Sequence, residues 1–489
     1  MSAIRRIFIF VIIAVTISLE LTANIWRSYL SYYQTIAVAQ GNQLVFAANE
    51  NGLFSFNPAD NRFETYSRVE GLSDSGISAI GWSTSKGGLI IGYSNGNLDL
   101  LLGNTIVNLP DIKLKTTIVN KSIRHIFCEG DFAWLSCDFG IVKINLRKWE
   151  VAETWIIGPD ASPIAVNELV SDGSFFWAAT ASGVFKADKN NLNLQDYKSW
   201  IFQDQLPFPR KPFNSIAVLN NLVYACDTDG LVYAFDGIAW QSVYPEIKGV
   251  QKIKAFPPAL VFVCEKSVEL ISPDSRSAVS TYGTLIPATA TINPVDAMIG
   301  NTGELWIGDH TFGLVQKTGS GLYRSAVPSS PARNNSVWLT TLGTNLYIAT
   351  GSDNAASATI GAEIYRLIDQ NWYSLNAYSE PKLSGIKNMT RIAPSPVNAE
   401  HFWGSTSADG LLEFDGQKTI KIYNSTNSPL ESQNGTCQIG GLNYDAAGKP
   451  VDKGTLKDGE GTIRSYDENG KLYLIEHFEK GKSVKKENQ

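Results

Sequence analysis

The sequence predicts an all-β protein: a seven-bladed β-propeller, followed by an incomplete second propeller and a short β-hairpin tail. Three observations support this prediction. A short apolar strand recurs along the 489 residues with a period of about 44, a glycine follows it in a turn, and alternating apolar residues follow the glycine. About 44 residues hold four short antiparallel strands with their turns, which is the content of one propeller blade.

The recurring strand appears nine times, with gaps between successive copies of 45, 44, 43, 46, 38, 45, 41 and 56 residues. We call the central residue of each copy its anchor. The anchors are Val45, Ile90, Trp134, Trp177, Val223, Val261, Trp306, Tyr347 and Trp403. A solenoid of helical repeats has a similar period, but no copy shows the three- and four-residue apolar spacing of a helix.

The glycines mark the turns between neighbouring strands. Dipeptides such as Asn51-Gly52 and Asp229-Gly230 accept positive φ and suit tight turns between antiparallel strands. Apolar residues then alternate, as in residues 231–235, which is the period of a strand with one buried face. Seven of the nine anchors meet a glycine six or seven residues later, namely Gly52, Gly96, Gly140, Gly183, Gly230, Gly313 and Gly410.

Nine repeats exceed the roughly four to eight blades that close one ring. The spacing therefore predicts a first seven-bladed ring over residues 24–335 and part of a second ring over residues 336–447, with the tail at 448–489. Two or three blades cannot close a ring, and their unpaired strand edges invite association. The aromatic residues Trp26, Tyr29, Tyr32 and Tyr33 are expected to begin the strand that closes the first ring rather than to form a platform for a sugar.

Residues 1–23 have the pattern of an export signal. Arg5 and Arg6 precede an apolar run of 13 residues, 7–19, which is short for a membrane span of about 20 residues. Cleavage is expected between Ala23 and Asn24, although an uncleaved anchor is the alternative. The expected location is outside the inner membrane, in the periplasm or at the outer-membrane surface.

Composition narrows the class of partner. The net charge of −6 argues against nucleic acid as a partner, because phosphate binding needs clustered lysine and arginine.

The five cysteines are an odd number, which argues against a complete disulfide framework. Cys137, Cys226 and Cys264 each follow their anchor by three residues, so we expect them to occupy one equivalent blade position, buried and unpaired.

No catalytic, cofactor-binding or metal-binding residue is predicted, and the chain is not expected to be an enzyme. The four histidines are scattered, and no two cysteines form a CxxC pair. Ser83-x-x-Lys86, K-T-G at 317–319 and S-D-N at 352–354 match elements of penicillin-recognising enzymes but stand in the wrong order. The calcium-loop fragment at residues 227–230 lacks its closing glutamate and is better explained as a hairpin turn.

Several N-terminal motifs resemble one family closely. They are W-R-S-Y-L-S-Y-Y at 26–33, L-V-F-A at 44–47, N-G-L-F-S at 51–55, T-Y-S-R-V-E-G-L-S-D at 65–74 and Y-S-N-G-N-L-D-L at 93–100. With these motifs the chain, from about residue 24 to 446, resembles the PorZ family of type IX secretion components of Bacteroidetes. The resemblance implies two seven-bladed propellers, a C-terminal signal domain, and action with the sortase PorU at the outer-membrane surface. It also implies association with anionic lipopolysaccharide through that C-terminal domain.

The character of the sequence changes near Gly448. Residues 454–466 and 469–482 resemble the MORN-like repeat of YwqK-type antitoxin proteins and predict one hairpin turning at 467–470. The signal domain of the family is not recognisable here, so no functional residue is carried over. A truncated or fused reading frame is the favoured explanation, and a genuine short variant is the alternative.

The resulting functional hypothesis is a non-catalytic component of type IX protein secretion and cell-surface attachment at the outer membrane. An exported ligand-binding or sensor propeller is the main alternative, because residues 71–80 and 89–92 also resemble the repeat of two-component regulator propellers. A propeller enzyme of the lyase or glycosidase kind is a third hypothesis, which would need histidine or paired carboxylates converging on the ring axis. His310, near the seventh anchor, is the one histidine expected close to an inner strand of the first ring, and a structural role is expected for it.

Overall fold

The computed structural model of the protein describes residues 27–204, 210–272, 277–281, 292–317, 323–352, 360–428, 454–455, 460–466, 471–480 and 482–488. The expected export signal, its cleavage site at Ala23–Asn24 and Cys437 lie outside these residues. The described residues fall into two compact units, those up to Arg333 and those from Asn334 onwards.

The first unit contains seven four-stranded antiparallel sheets, each built from consecutive strands. Blade 1 consists of β1 (Ala37–Gly41), β2 (Leu44–Asn49), β3 (Gly52–Asn57) and β4 (Arg62–Tyr66). Blade 2 consists of β5 (Ile77–Ser83), β6 (Gly88–Tyr93), β7 (Leu98–Leu102) and β8 (Thr105–Leu109), and a single helical turn, α1 (Asp111–Leu114), follows it. Blade 3 consists of β9 (Ile123–Glu129), β10 (Phe132–Cys137), β11 (Gly140–Asn145) and β12 (Glu150–Trp155).

The next four blades repeat this arrangement. Blade 4 consists of β13 (Val166–Ser171), β14 (Phe175–Thr180), β15 (Gly183–Asp188) and the short β16 (Ile201–Phe202). Blade 5 consists of β17 (Phe213–Leu219), β18 (Leu222–Asp227), β19 (Val232–Phe235) and β20 (Trp240–Val243). Blade 6 consists of β21 (Val250–Phe256), β22 (Ala259–Cys264), β23 (Val268–Ser272) and β24 (Ser277–Thr281). Blade 7 consists of β25 (Pro294–Ile299), β26 (Leu305–Asp309), β27 (Gly313–Lys317) and β28 (Tyr323–Ser325).

The seven blades form a closed ring. The first strand of each blade contacts the first strand of the next, in the cycle β1, β5, β9, β13, β17, β21, β25 and back to β1. These first strands are therefore the inner strands of the ring. The predicted fold class, with a seven-bladed first propeller, is confirmed.

The tryptophan anchors of the first ring hold neighbouring blades together because each of them faces the following blade. Trp134 of blade 3 packs against Phe176 of blade 4, with ring centroids 5.2 Å apart. Trp306 of blade 7 packs against Phe56 of blade 1 at 5.7 Å, which continues the same contact across the point where the ring closes. Both tryptophans are almost completely buried.

The predicted glycine turns have a steric cause. Gly140 adopts a φ of +147°, and a Cβ at this position would overlap the carbonyl oxygen of Trp155. A side chain is therefore excluded both by the backbone conformation and by the neighbouring strand.

The ring closes without a strand from the aromatic N-terminal segment, so the expectation for Tyr29, Tyr32 and Tyr33 is wrong. Residues 27–36 form no strand. Instead, the Ser31 hydroxyl donates to the carbonyl of Ala332 at 2.8 Å, and the Tyr32 N–H donates to Ser330 Oγ at 3.3 Å. All four strands of blade 1 come from residues 37–66, so closure depends on side-chain packing and these hydrogen bonds.

The second unit contains two further four-stranded sheets and a smaller one. Blade 8 consists of β29 (Trp338–Leu342), β30 (Asn345–Ala349), β31 (Ile364–Ile368) and β32 (Asn371–Leu375). Blade 9 consists of β33 (Met389–Ser395), β34 (Asn398–Thr406), β35 (Leu411–Asp415) and β36 (Lys418–Tyr423). The predicted tail hairpin is present as β37 (Gly461–Tyr466) and β38 (Leu472–Glu479), and β39 (Lys482–Asn488) extends it to three strands.

Candidate functional site

The inner strands of blades 2 to 7 share a β-bulge near their start. In each, the pairing with the second strand skips one residue, so that residue is not opposite a partner in the ladder. The six bulged residues are Ser78, Arg124, Asn167, Asn214, Gln251 and Val295. A bulge bends the strand and re-aims the side chains beside it. The side chain after the bulge is polar in blades 3 to 7, namely His125, Glu168, Ser215, Lys252 and Asp296.

These polar side chains link each blade to the next one. The Glu168 carboxylate of blade 4 accepts a hydrogen bond from the backbone N–H of Ile216 in blade 5 at 3.1 Å, and another from the Ser215 hydroxyl. Ser215 Oγ in turn accepts from the backbone N–H of Ile253 in blade 6 at 3.0 Å. Both Glu168 and Ser215 are buried.

The same relation continues between blades 6, 7 and 1. One carboxylate oxygen of Asp296 in blade 7 forms ion pairs with two lysines of blade 6. It lies 2.6 Å from the Nζ of Lys254 and 3.4 Å from the Nζ of Lys252. Its other carboxylate oxygen accepts from the backbone N–H of Val38 in blade 1 at 2.9 Å. Burial alone would raise the pKa of Asp296, but the two lysines and these hydrogen bonds outweigh burial and lower it.

His125 lies on the inner strand of blade 3 and begins this series of links, so the expectation that only His310 lies close to an inner strand is wrong. Its Nε2 lies 3.4 Å from Glu168, and its Nδ1 has no hydrogen-bond partner in the described part of the chain. Its side chain keeps 28% of its surface exposed, but it lies among the inner strands rather than on the outside of the ring. Burial lowers the pKa of His125, while Glu168 opposes that shift and Lys254 and Lys252 reinforce it. His125 is therefore neutral at pH 7.

The serine, glutamate and histidine do not stand in the order of a Ser–His–carboxylate triad. In that arrangement the imidazole contacts the serine hydroxyl and the carboxylate holds the imidazole. Here Glu168 lies between Ser215 and His125, and the Ser215 hydroxyl already donates to Glu168 and accepts from Ile253. The chemistry of this inner network is therefore that of hydrogen bonds and ion pairs joining blades.

The motifs singled out in the sequence lie apart from this network. Asp227 Oδ1 accepts from the N–H groups of Asp229 at 2.9 Å and Leu231 at 3.0 Å, which confirms the hairpin-turn interpretation. Ser83 ends β5, and Lys317 ends β27. Ser352 accompanies Asn388, to whose side-chain oxygen its N–H donates, and residues 318–319 and 353–354 of the K-T-G and S-D-N motifs lie outside the described residues. Over those described ranges, no three His, Cys, Asp or Glu side chains are grouped so as to hold a metal ion.

The four described cysteines are free, as predicted. Burial raises the pKa of Cys128 to about 12 and that of Cys264 to about 11, so these thiols are protonated and unreactive at neutral pH. The three buried cysteines do not share one blade position, however. Cys137 and Cys264 lie opposite the first residue of their inner strand, whereas Cys226 lies opposite Ser215, past the bulge.

A groove of about 570 Å³ lies between blades 4 and 5. In this groove, Lys186 Nζ lies 3.7 Å from the ring centroid of Phe175 and 4.7 Å from that of Trp177. Such cation–π contacts fix the position of the ammonium group. The volume of the groove is in the range of small-molecule sites.

The inner network and this groove were not identified from the sequence. The sequence signal for the network was a polar residue that lies eight to ten residues before each of five anchors.

Comparison with known proteins agrees with this architecture. Residues 45–201 match the family model described as the N-terminal β-propeller domain of PorZ of the type IX secretion system. A solved structure of PorZ, an essential surface component of that system in Porphyromonas gingivalis, is similar with a TM-score of 0.67 and 17% identity, over 93% of this chain and 60% of that chain. The resemblance to PorZ is therefore confirmed, and this chain spans about 60% of the length of that structure.

Two other structures are more distant. The extracellular domain of a one-component system from B. thetaiotaomicron has a TM-score of 0.40 at 15% identity, over 92% of this chain and 60% of that chain. BamB from Moraxella catarrhalis has a TM-score of 0.40 at 12% identity, over 59% of this chain and 98% of that chain. No curated protein sequence matches the chain. In the described ranges, no helix has the length and apolar character needed to cross a membrane.

Proposed function

We propose that the protein is a non-catalytic component of type IX protein secretion and cell-surface attachment, working at the outer-membrane surface after export. The observation that carries this proposal is the match of residues 45–201 to the PorZ N-terminal propeller. The similarity of fold to PorZ over 93% of the chain supports it.

The proposed mechanism is protein contact on a rigid scaffold. The inner network uses its polar groups to join blades, and the faces of the ring offer loops for partners. By resemblance, the proposed partners are other secretion components, among them the sortase PorU. The association of the family with anionic lipopolysaccharide belongs to a domain that the resemblance does not reach, and no site for it is proposed here.

Deletion of the gene in its own host tests the role. We expect secreted cargo to accumulate inside the cell, measured by immunoblotting of cell and surface fractions. Re-expression of the intact gene is expected to restore cargo at the surface.

Two results would contradict the proposal. An unchanged amount of cargo at the surface of the deletion strain would contradict the role in secretion. If transcription changed at the same time, the alternative of a sensor propeller would be favoured. Turnover of a glycan or peptide by the purified chain would contradict the proposal that its role is non-catalytic.

A further inference from the structure

Two connections between blades lie side by side on one face of the first ring. Residues 67–76 join blades 1 and 2, and residues 110–122 join blades 2 and 3. In every blade the inner strand begins and the fourth strand ends at this face, which we call the connection face. Lys113 Nζ of the second connection contacts Asp74 of the first at 2.6 Å, so the two connections form one surface.

This surface exposes large apolar side chains. Val69 is 51% exposed, Leu114 is 68% exposed and Val119 is 91% exposed. Ile112, two residues before Leu114, is buried and anchors the helical turn α1. Single exposed apolar residues are common on protein surfaces; here three of them occur in two connections that the Lys113–Asp74 ion pair joins.

Cations accompany the apolar side chains. Arg68 precedes Val69, and Lys115 follows Leu114; both are exposed and have no acidic partner among the residues that the structure describes. Lys121 donates to the backbone carbonyl of Lys113 at 2.7 Å, so its charge is also not neutralised by a carboxylate.

Of the three carboxylates in the same connections, Asp74 is paired with a cation. They are Glu70, Asp74 and Asp111. Asp74 binds Lys113 and Asn95, and Glu70 accepts from the Ser67 hydroxyl. Side-chain hydrogen bonds and the charge of Lys113 keep the pKa of Asp74 low although burial opposes this. Apart from the Lys113–Asp74 pair, the two connections therefore carry three cations, Arg68, Lys115 and Lys121, against two carboxylates, Glu70 and Asp111, which leaves one net positive charge beside the apolar residues.

We propose that Arg68, Val69, Leu114, Lys115, Val119 and Lys121, which we call the basic–apolar patch, dock the ring on an anionic lipid bilayer. Apolar side chains at the tips of connections enter the boundary between headgroups and acyl chains, while neighbouring cations lie near the lipid phosphates. An acidic protein surface would pair with the cations but would leave Val119 and Leu114 without an apolar partner. The inference does not depend on the role in secretion.

Vesicle co-sedimentation tests the patch. The protein that starts at Asn24, the form expected after export, is mixed with vesicles of phosphatidylglycerol and phosphatidylcholine in equal parts, or of phosphatidylcholine alone. We expect binding to the anionic vesicles only, weakened by added salt. The double variant Leu114→Ser/Val119→Ser should lower the partition coefficient about tenfold or more. The double variant Lys115→Gln/Lys121→Gln should lower it about 25-fold.

Matched controls lie on the opposite face. Ile238→Ser replaces another exposed apolar residue, 83% exposed in a turn of blade 5, and Lys198→Gln replaces another exposed lysine; both should leave the partition unchanged. Near-ultraviolet circular dichroism verifies that every variant is folded, which is expected because the replaced residues are at the surface.

Three results would overturn the proposal. They are absence of binding to anionic vesicles, equal binding to both vesicle types, and binding that the patch variants leave unchanged. Light scattering provides a further test: a dimer of the parent protein that Leu114→Ser/Val119→Ser dissociates would assign the patch to self-association instead.

Discussion

Asp296 accepts a hydrogen bond from the backbone N–H of Val38 at 2.9 Å, although 258 positions of sequence separate the two residues. This contact joins the last blade of the ring to the first. It has the same form as the contact of Glu168 with the N–H of Ile216 between blades 4 and 5. A carboxylate on one inner strand thus satisfies a backbone donor on the next.

Replacing Asp296 by alanine should destabilise the ring strongly. The change would leave the Val38 N–H and the Lys254 ammonium without their buried partner, a loss of roughly 3–5 kcal/mol in the free energy of unfolding. Denaturant titration measures this loss. Asp296→Asn should cost less because an amide oxygen can still accept from Val38, and Glu246→Ala at an exposed site should change stability by less than about 0.5 kcal/mol. Equal stability of Asp296→Ala and the parent would show that the contact is unimportant.

The free energy of unfolding should also decrease on acidification, because His125 becomes protonated more readily in the unfolded chain. Burial lowers its pKa in the folded state below the usual 6.5, so between these two values the unfolded chain binds more protons. The contribution of His125 is therefore constant above about pH 6.5 and becomes unfavourable as the pH falls below it. Denaturation midpoints across this range measure the slope. His125→Gln should reduce it, and an unchanged slope in this variant would contradict the assignment.

Trp177→Ala should remove roughly 3–5 kcal/mol of stability by opening a cavity between blades 4 and 5. The indole packs against Phe235 at 5.3 Å and donates its Nε1–H to Asp172 at 2.7 Å. Trp177→Phe should cost less because it keeps much of the volume. Ile238→Ala, at an exposed apolar site, is the control and should have little effect on the denaturation midpoint.

Two glycines with positive φ should respond differently to alanine. At Gly140 the new Cβ meets the backbone of Trp155, so strain and overlap together should exceed about 2 kcal/mol. At Gly103, with a φ of +57°, a Cβ meets nothing within 4 Å, so only the conformational cost of about 1–2 kcal/mol applies. Thermal unfolding of the two variants, Gly140→Ala and Gly103→Ala, measures the difference. Similar shifts in Tm would mean that the backbone at Trp155 moves to make room for the new Cβ.

The mature protein should begin at Asn24. The basic, apolar and small-residue segments of residues 1–23 motivate this prediction. Mass spectrometry of the N-terminal peptide identifies the start. A peptide that retains residues 7–19 in the membrane fraction would favour the uncleaved anchor.

The sequence identified blades well because each blade repeats the same local requirements. Trp134 and Trp306 mark apolar strands, and Gly140 marks a turn that no other residue can adopt, so these features are visible one repeat at a time. The irregular segment at Tyr32 was mistaken for a strand because its aromatic composition resembles one, while its partners Ser330 and Ala332 are distant in sequence.

The inner network was harder to recognise. Glu168, Ser215 and Asp296 are chemically different, so they do not form a sequence motif although they occupy the same position after a bulge. Their role appears only when neighbouring blades are placed together. Cys226 lies one position away in the strand ladder from the place that Cys137 and Cys264 occupy. The sequence did not show this, because the distance of a residue from its anchor does not determine its pairing register.

The two ends of the ring meet at Ser31 and Ala332, whose side-chain and backbone groups are hydrogen-bonded at 2.8 Å. Because no strand is shared across this point, the junction of blades 7 and 1 is formed, like the other junctions, by contacts between complete blades. The starting blade is thus a matter of gene order rather than of architecture. A circular permutant that links these ends and opens the chain between two other blades should therefore fold to the same ring.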